Sequence, residues 1–273
     1  MAILGRRHLG ICQVLICSLV ACGGDASDTG GLEQMSAVEE QPEAGDGTEG
    51  RHESGYTTMN VKKGGTLRGV VNFSGAVPET RTIVVTDDMN ACGGSVQIHD
   101  LEIASHGGLA NAVVSLTDIT SGAVLEAPTS PATLDQRGCR FTPHVVLAGV
   151  DQVVEILNSD PVAHNVHTVA FDNRSFNRTQ PPSVEKIEVS FPIAEKVRAR
   201  CDIHGWMSAW IVVVDHPYNA VTDSNGGFAI GNVPGGTYTL EIWHETLGAT
   251  TQTVTVAADQ VTDLSIELAQ TSP

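Results

Sequence analysis

The chain has 273 residues, with 32 Asp and Glu against 15 Lys and Arg, for a formal net charge of −17. That length can bury the cores of one to three domains, and so strong an acidic excess argues against nucleic-acid binding. Short Val/Ile/Thr-rich runs recur between Gly, Pro, Asn and Asp clusters, with 28 glycines and only 4% aromatics. This is the pattern of an all-β protein with many turns. No long apolar stripe of period 3.6 follows the N-terminus, so helix should be minor.

In chain order, Arg6, Arg7 and His8 precede the apolar run "LGICQVLICSLVAC". It is too short to span a bilayer comfortably and suits a secretory signal peptide, residues 1–21. Its end, Leu19-Val20-Ala21-Cys22, resembles the bacterial lipobox. That resemblance implies that Cys22 becomes the lipidated first residue of an envelope lipoprotein. Gly23 and Gly24, with no Asp at the second position, then lean toward the outer membrane, the lipid being the only membrane contact. A plain secretory signal with chance cysteines is the alternative. Residues 22–60 form an acidic stretch with nine carboxylates against Arg51, too polar to order itself, and read as a flexible tether.

Cys12 and Cys17 leave with the signal, so the body keeps Cys92, Cys139 and Cys201, an odd number for an oxidising compartment. Cys92 ("NACGG") and Cys139 ("QRGCRF") sit in Gly-flanked, turn-like settings without metal-ligand neighbours and are paired as a disulfide. Cys201 is left as the free thiol.

Between residues 130 and 215, "VEKIEVSF" alternates Ile187, Val189 and Phe191 against Glu188 and Ser190. "KVRARC" likewise places Val197, Ala199 and Cys201 on one face and Arg198 and Arg200 on the other. "AWIVVVD" then reads as the next core strand. The intervening "CDIHGWM" carries His204 and Met207 back over Cys201. An earlier strand, "VVEILNSDPVAHNVHTV", ends in a turn followed by His164-Asn165. Two imidazoles, a thiolate and a weak axial thioether make a blue-copper ligand set.

On these motifs residues 130–215 resemble a cupredoxin of the amicyanin type, with Gly149-Val150-Asp151 standing for a family turn. The resemblance implies one type 1 copper held by His164, Cys201, His204 and Met207. It also makes Asn165 a neighbour whose backbone hydrogen-bonds the thiolate and ties the two loops. Two departures are Ala199, where the family often has an aromatic, and Gly205 rather than Pro after the second His. His167 is a non-ligand in that family. His144, His216 and His244 read as hydrogen-bonded structural residues, with a second metal site built from them as the sharper alternative.

The segment "AVTDSNGGFAIGNVPGGTYTLEIWHETLG", within 216–270, resembles a carboxypeptidase-regulatory or transthyretin-like β-sandwich. Phe228, Ile230, Tyr238, Leu240 and Ile242 should point inward about the turns Asn225-Gly226 and Pro234-Gly235-Gly236. Asp223-x-Asn225 lacks the rest of a calcium loop and reads as a hairpin turn. Residues 61–129 ("GGTLRGVVNFSG", "LANAVVSLTD") look like the opening half of the same module. A sandwich interrupted by the copper domain is one reading, with 66–74 or 110–118 pairing with 226–243. A self-contained sandwich, or extra strands on the copper domain, are the others.

The expected function is membrane-anchored electron transfer. Copper would exchange electrons with redox partner proteins through the His204 edge, reached by solvent amid Pro161, Val162, Ala163, Gly205 and Trp206. Asp202, beside the ligand Cys, would favour Cu(II). The alternative is a non-catalytic surface-binding or adhesion lipoprotein. No Gly-x-Ser-x-Gly, Walker or zinc-protease motif is present, so no enzyme is expected.

Overall fold

The computed structural model describes residues 55–126 and 130–270. The expected signal peptide, the expected lipidation site Cys22 and nearly all of the expected tether lie outside them. The described chain is built almost wholly of strands, which form two β-sandwiches.

The first sandwich runs from residue 132 to 214. One sheet orders Lys186–Val189, Val154–Asn158, Ala132–Gln136 and Phe141–Thr142. The other orders Asn177–Gln180, His164–Val169, Lys196–Arg200, Ser208–Val214 and Val145–Gly149. The chain passes repeatedly between the two sheets, and the pairings of Ser208–Val214 with Val145–Gly149 and of Val154–Asn158 with Ala132–Gln136 are parallel. Period-2 alternation sets what goes inside. Val197, Ala199 and Cys201 are buried while Arg198 and Arg200 are exposed. With Leu134, Ile156, Val166, Phe191 and Ile211 they form one continuous core.

The second sandwich draws on both flanks of the chain. Gly65–Ser74 lies between Gly227–Val233 and Val261–Ala269. Val113–Leu116 lies between Asn219–Val221 and Gly236–His244, which continues to Gly248–Val256. Residues 216–270 are therefore not a sandwich by themselves, because each of its sheets is completed by a strand that precedes the first sandwich. Leu67, Val71, Val114, Leu116, Phe228, Ile230, Leu240 and Ile242 share its core. Gly69 is required where that strand crosses its neighbour, since a Cβ there would collide with the carbonyl of Leu264. At the Asn225-Gly226 turn, Asp223 Oδ1 accepts from the amides of Asn225 (2.8 Å) and Gly227 (2.9 Å), closing a hairpin.

The sandwiches meet through Val113, Val145 and Val212, with Trp210 edge-on to Trp243 at 4.9 Å between ring centroids. A hairpin of Arg81–Val84 and Ser95–Ile98, bridged by the short helix Met89–Cys92, extends from the N-terminal half. A disulfide between Cys92 and Cys139 fastens its tip to the first sandwich, as the cysteine arithmetic expects.

Candidate metal centre

Two loops at one end of the first sandwich bring three donors together. His164 opens the strand His164–Val169, Cys201 directly follows Lys196–Arg200, and His204 sits in the loop before Ser208–Val214. That loop closes on itself. The Cys201 amide donates to the Met207 carbonyl (3.2 Å), the Met207 amide to the His204 carbonyl (2.8 Å), and the His204 amide to Cys201 Sγ (3.3 Å). The side chains of His164, Cys201 and His204 are buried, and their ligand atoms all lie within 4.8 Å of one another.

The orientation of the rings says what the cluster can hold. His164 Nε2 faces Asp160 Oδ2 at 2.9 Å, and His204 Nε2 faces Asp88 Oδ2 at 3.2 Å. A carboxylate accepts from N–H, so each Nε2 carries the proton and each Nδ1 is left with a lone pair. These Nδ1 atoms face each other at 2.9 Å, and Cys201 Sγ lies 4.0 Å from His204 Nδ1. Two lone pairs at that distance repel, and either a shared proton or a metal cation between them relieves the repulsion. Donors so spaced can share one ion at metal–ligand distances of ~2.0–2.3 Å. The residues therefore fit a metal ion of the soft, borderline type. Burial lowers the pKa of His164, an effect Asp160 opposes and His204 reinforces, so the imidazole is kept neutral and able to ligate.

Asp160 and Asp88 are the functional residues that sequence reasoning missed. Asp160 accepts three bonds, from the amides of Gly138 (2.7 Å) and Cys139 (2.8 Å) and from His164. It stands four residues before His164 in the Asn-Ser-Asp-Pro turn, a spacing that was legible. Asp88 is 116 positions from His204 and leaves no local signal.

Two expectations need correction. The His204 edge does not reach solvent among Pro161, Val162, Ala163, Gly205 and Trp206. The residue is 1% exposed, and the hairpin tip lies over it, with Cys92 Sγ at 3.8 Å from Nε2 beside Asp88. Second, Asn165 acts through its side chain. Its Oδ1 accepts from Cys201 Sγ (3.3 Å) and from the amides of Asp202 (2.7 Å) and Ile203 (3.2 Å). The tie between the two loops is real, but the amide oxygen makes it. Asp202, expected to favour Cu(II), accepts from His167 (2.9 Å), Asn177 (2.8 Å) and Arg200 (3.3 Å). Desolvation pushes its carboxyl up, yet the bonds from His167 and Asn177 outweigh that and hold it below its ordinary value.

Met207 is 2% exposed and belongs to the same apolar cluster as Cys201 and Ile211. His144, His216 and His244 join no metal-ligating cluster among the described residues. His144 pairs with Glu245, whose other oxygen accepts from Trp210 Nε1 at 2.6 Å, so this histidine links the two sandwiches. His216 accepts at Nδ1 from the Tyr218 amide at 3.2 Å.

Between the sandwiches, beside the Cys201–Met207 loop, opens a cleft of about 1020 Å³ whose walls include Arg81, Arg140, Arg198 and Arg200. Among the described residues no helix is long and apolar enough to cross a membrane.

Comparison with known proteins gives three findings. A search of curated proteins returns no match. Among solved structures, the chain is similar over 32% of its length to a copper-containing nitrite reductase from Thermus scotoductus SA-01, at 22% identity and a TM-score of 0.30. It spans only 23% of that enzyme. A purple cupredoxin from Nitrosopumilus maritimus is matched over 30% of this chain and 99% of its own, at 18% identity and a TM-score of 0.27. An oxidised amicyanin mutant is matched over 37% and 98%, at 19% identity and a TM-score of 0.29. Residues 208–269 match the family model of the carboxypeptidase regulatory-like domain. That match starts at the last strand of the first sandwich and omits Gly65–Ser74 and Val113–Leu116, which complete the second. The chain thus carries a carboxypeptidase regulatory-like domain and, over about a third of its length, is similar to cupredoxins.

Proposed function

We propose that this protein binds one copper ion at His164, Cys201 and His204, with Met207 as a weak axial donor, and passes single electrons. The observation that carries the reading is the pair of Nδ1 atoms opposed at 2.9 Å beside a buried free thiol. When bound there, copper supplies a one-electron couple, Cu(II)/Cu(I). The chain supplies the rest. Asp160 and Asp88 fix the tautomer and angle of each imidazole. The His204 amide donates to Cys201 Sγ, and Asn165 Oδ1 fixes the loop beside it through the Asp202 and Ile203 amides, so the donor atoms need little rearrangement between oxidation states. Burial of all three donors excludes water from the site.

With the His204 edge covered, transient partners would meet the centre at the Cys201–Met207 loop, where Ile203 is 47% exposed. The reading also puts the protein in the bacterial envelope on a lipid at Cys22, supported by the lipobox-like Leu19-Val20-Ala21-Cys22, with the acidic stretch as spacer.

The direct test is stoichiometry. Full-length protein stripped of metal should take up one Cu(II) per chain that resists dialysis, and Cys201→Ser and His164→Ala should each lose it. Retention of the full equivalent by both variants would remove the reading.

A further inference from the structure

The Cys92–Cys139 disulfide lies against the far sides of both imidazoles. Cys92 Sγ is 3.8 Å from His204 Nε2, which Asp88 also faces. On the other side, ligand atoms of Cys139, Asp160 and His164 lie within 4.8 Å of one another, all three residues buried. As a disulfide the two sulfurs donate little to a metal. As thiolates they would complete a donor set of two sulfurs and a carboxylate, with the N–H edges of His164 and His204 beside it.

We propose that reduction of Cys92–Cys139 unmasks a second metal site, back to back with the first, for a thiophilic d10 cation such as Cu(I) or Zn²⁺. The reductant is a dithiol. The S–S bond breaks, each sulfur gains one electron and one proton, and the dithiol closes to its own disulfide. Metal binding then displaces the two thiol protons. The backbone is already in place, since the two Cα atoms are 5.3 Å apart. Two metal–sulfur bonds of ~2.3 Å need the sulfurs to part by no more than ~4.5 Å. Two thiolates select soft cations over Mg²⁺ or Ca²⁺. Asp160 is the third donor: a carboxylate oxygen has two lone pairs, so Oδ1 can keep the Gly138 amide and also meet the ion while Oδ2 holds the Cys139 amide and His164. In its oxidised form the same pair staples the hairpin tip over His204.

The test uses the full chain carrying Cys201→Ser, so the outcome does not depend on the first centre. The protein is reduced with a small dithiol under anaerobic conditions, freed of it, and titrated with Cu(I) or Zn²⁺ against a chromophoric chelator. One equivalent of at least one of these ions should bind after reduction and none before. Cys92 and Cys139 should both become protected from alkylation. Adding Asp160→Asn should weaken binding ~10- to 100-fold, as loss of a ligating or orienting carboxylate does. Three results would overturn the proposal: no uptake by the reduced protein, equal uptake when Cys92→Ser and Cys139→Ser are added, or an unchanged affinity with Asp160→Asn. Near-UV circular dichroism accompanies the titration. A reduced protein that has lost its tertiary signal and does not regain it with either ion also counts against the site.

Discussion

His204 Nε2 lies 3.2 Å from Asp88 Oδ2, although 116 residues separate them. The contact joins a loop of the first sandwich to a hairpin from the N-terminal half, and it closes the edge through which an imidazole ligand would otherwise meet solvent. Asp88 is itself 40% exposed, so the bond is formed at the rim of a buried site. Asp88→Ala should remove a hydrogen bond worth ~1 kcal/mol in the metal-free protein. It should also make His204 the histidine that gains most reactivity toward an acylating reagent, read by mass spectrometry. Unchanged protection of His204 would mean that the hairpin covers it without help from Asp88.

Asp160→Ala should be costlier. Two amides and an imidazole N–H lose their acceptor together in a buried place. At ~1–3 kcal/mol for each buried donor left unsatisfied, denaturant unfolding should show a loss of roughly 3 kcal/mol or more. Copper affinity should fall ~10- to 100-fold as His164 loses its orientation. A loss under ~1 kcal/mol with unaltered affinity would show that Asp160 is incidental.

Much of this site was legible because it is written locally. Period-2 alternation put Cys201 inside with Val197 and Ala199, and the order His164, Cys201, His204 on successive strands and loops brought the donors together. The pairing of Cys92 with Cys139 followed from what surrounds each cysteine. The division of the second sandwich showed itself in the resemblance of 61–129 to the first half of a module whose second half lies past residue 216. What escaped was set by contacts between distant elements. Asp88 reaches His204 only because a hairpin tip happens to fold over that end of the sandwich, and no periodicity encodes that. Asn165 was identified, but whether its backbone or its side chain meets the Cys201 sulfur depends on a rotamer.

The junction between the sandwiches should depend on pH. Burial pushes the pKa of His144 down, but the Glu245 carboxylate outweighs it and the net shift is upward from 6.5. Burial pushes Glu245 up, and its bonds to His144 and Trp210 bring it below 4.5. The His144 contribution is fully present below pH ~6.5 and fades as pH rises through the folded-state value. The Glu245 contribution is present above pH ~4.5 and is lost as pH falls through its folded-state value. Glu245→Gln should therefore lower Tm most between pH ~4.5 and 6.5, and less at pH 8. A deficit that is flat across this range would mean that the pair carries no net charge coupling.

Met207→Leu separates packing from ligation. The swap keeps volume, so the metal-free protein should lose less than ~1.5 kcal/mol. With copper retained, the reduction potential should rise, because loss of a sulfur donor destabilises Cu(II) more than Cu(I). A rise of ~30 mV corresponds to ~0.7 kcal/mol for one electron and is readable by voltammetry. The wild-type potential with an unaltered spectrum would reduce Met207 to core packing.

Cys22→Ser should abolish lipid attachment and leave the folded body unchanged, as read by detergent partitioning and circular dichroism. A processed variant that still partitions fully with membranes would remove the lipid anchor from the account.

The most direct measurement is the visible absorption of the metal-stripped protein on addition of Cu(II). Cys201 bound as a thiolate should give an intense charge-transfer band, blue or green, that saturates at one equivalent and vanishes in Cys201→Ser, because a serine oxygen cannot supply that transition. No such band in the wild-type protein, or the same band in Cys201→Ser, would contradict a copper centre built on His164, Cys201 and His204.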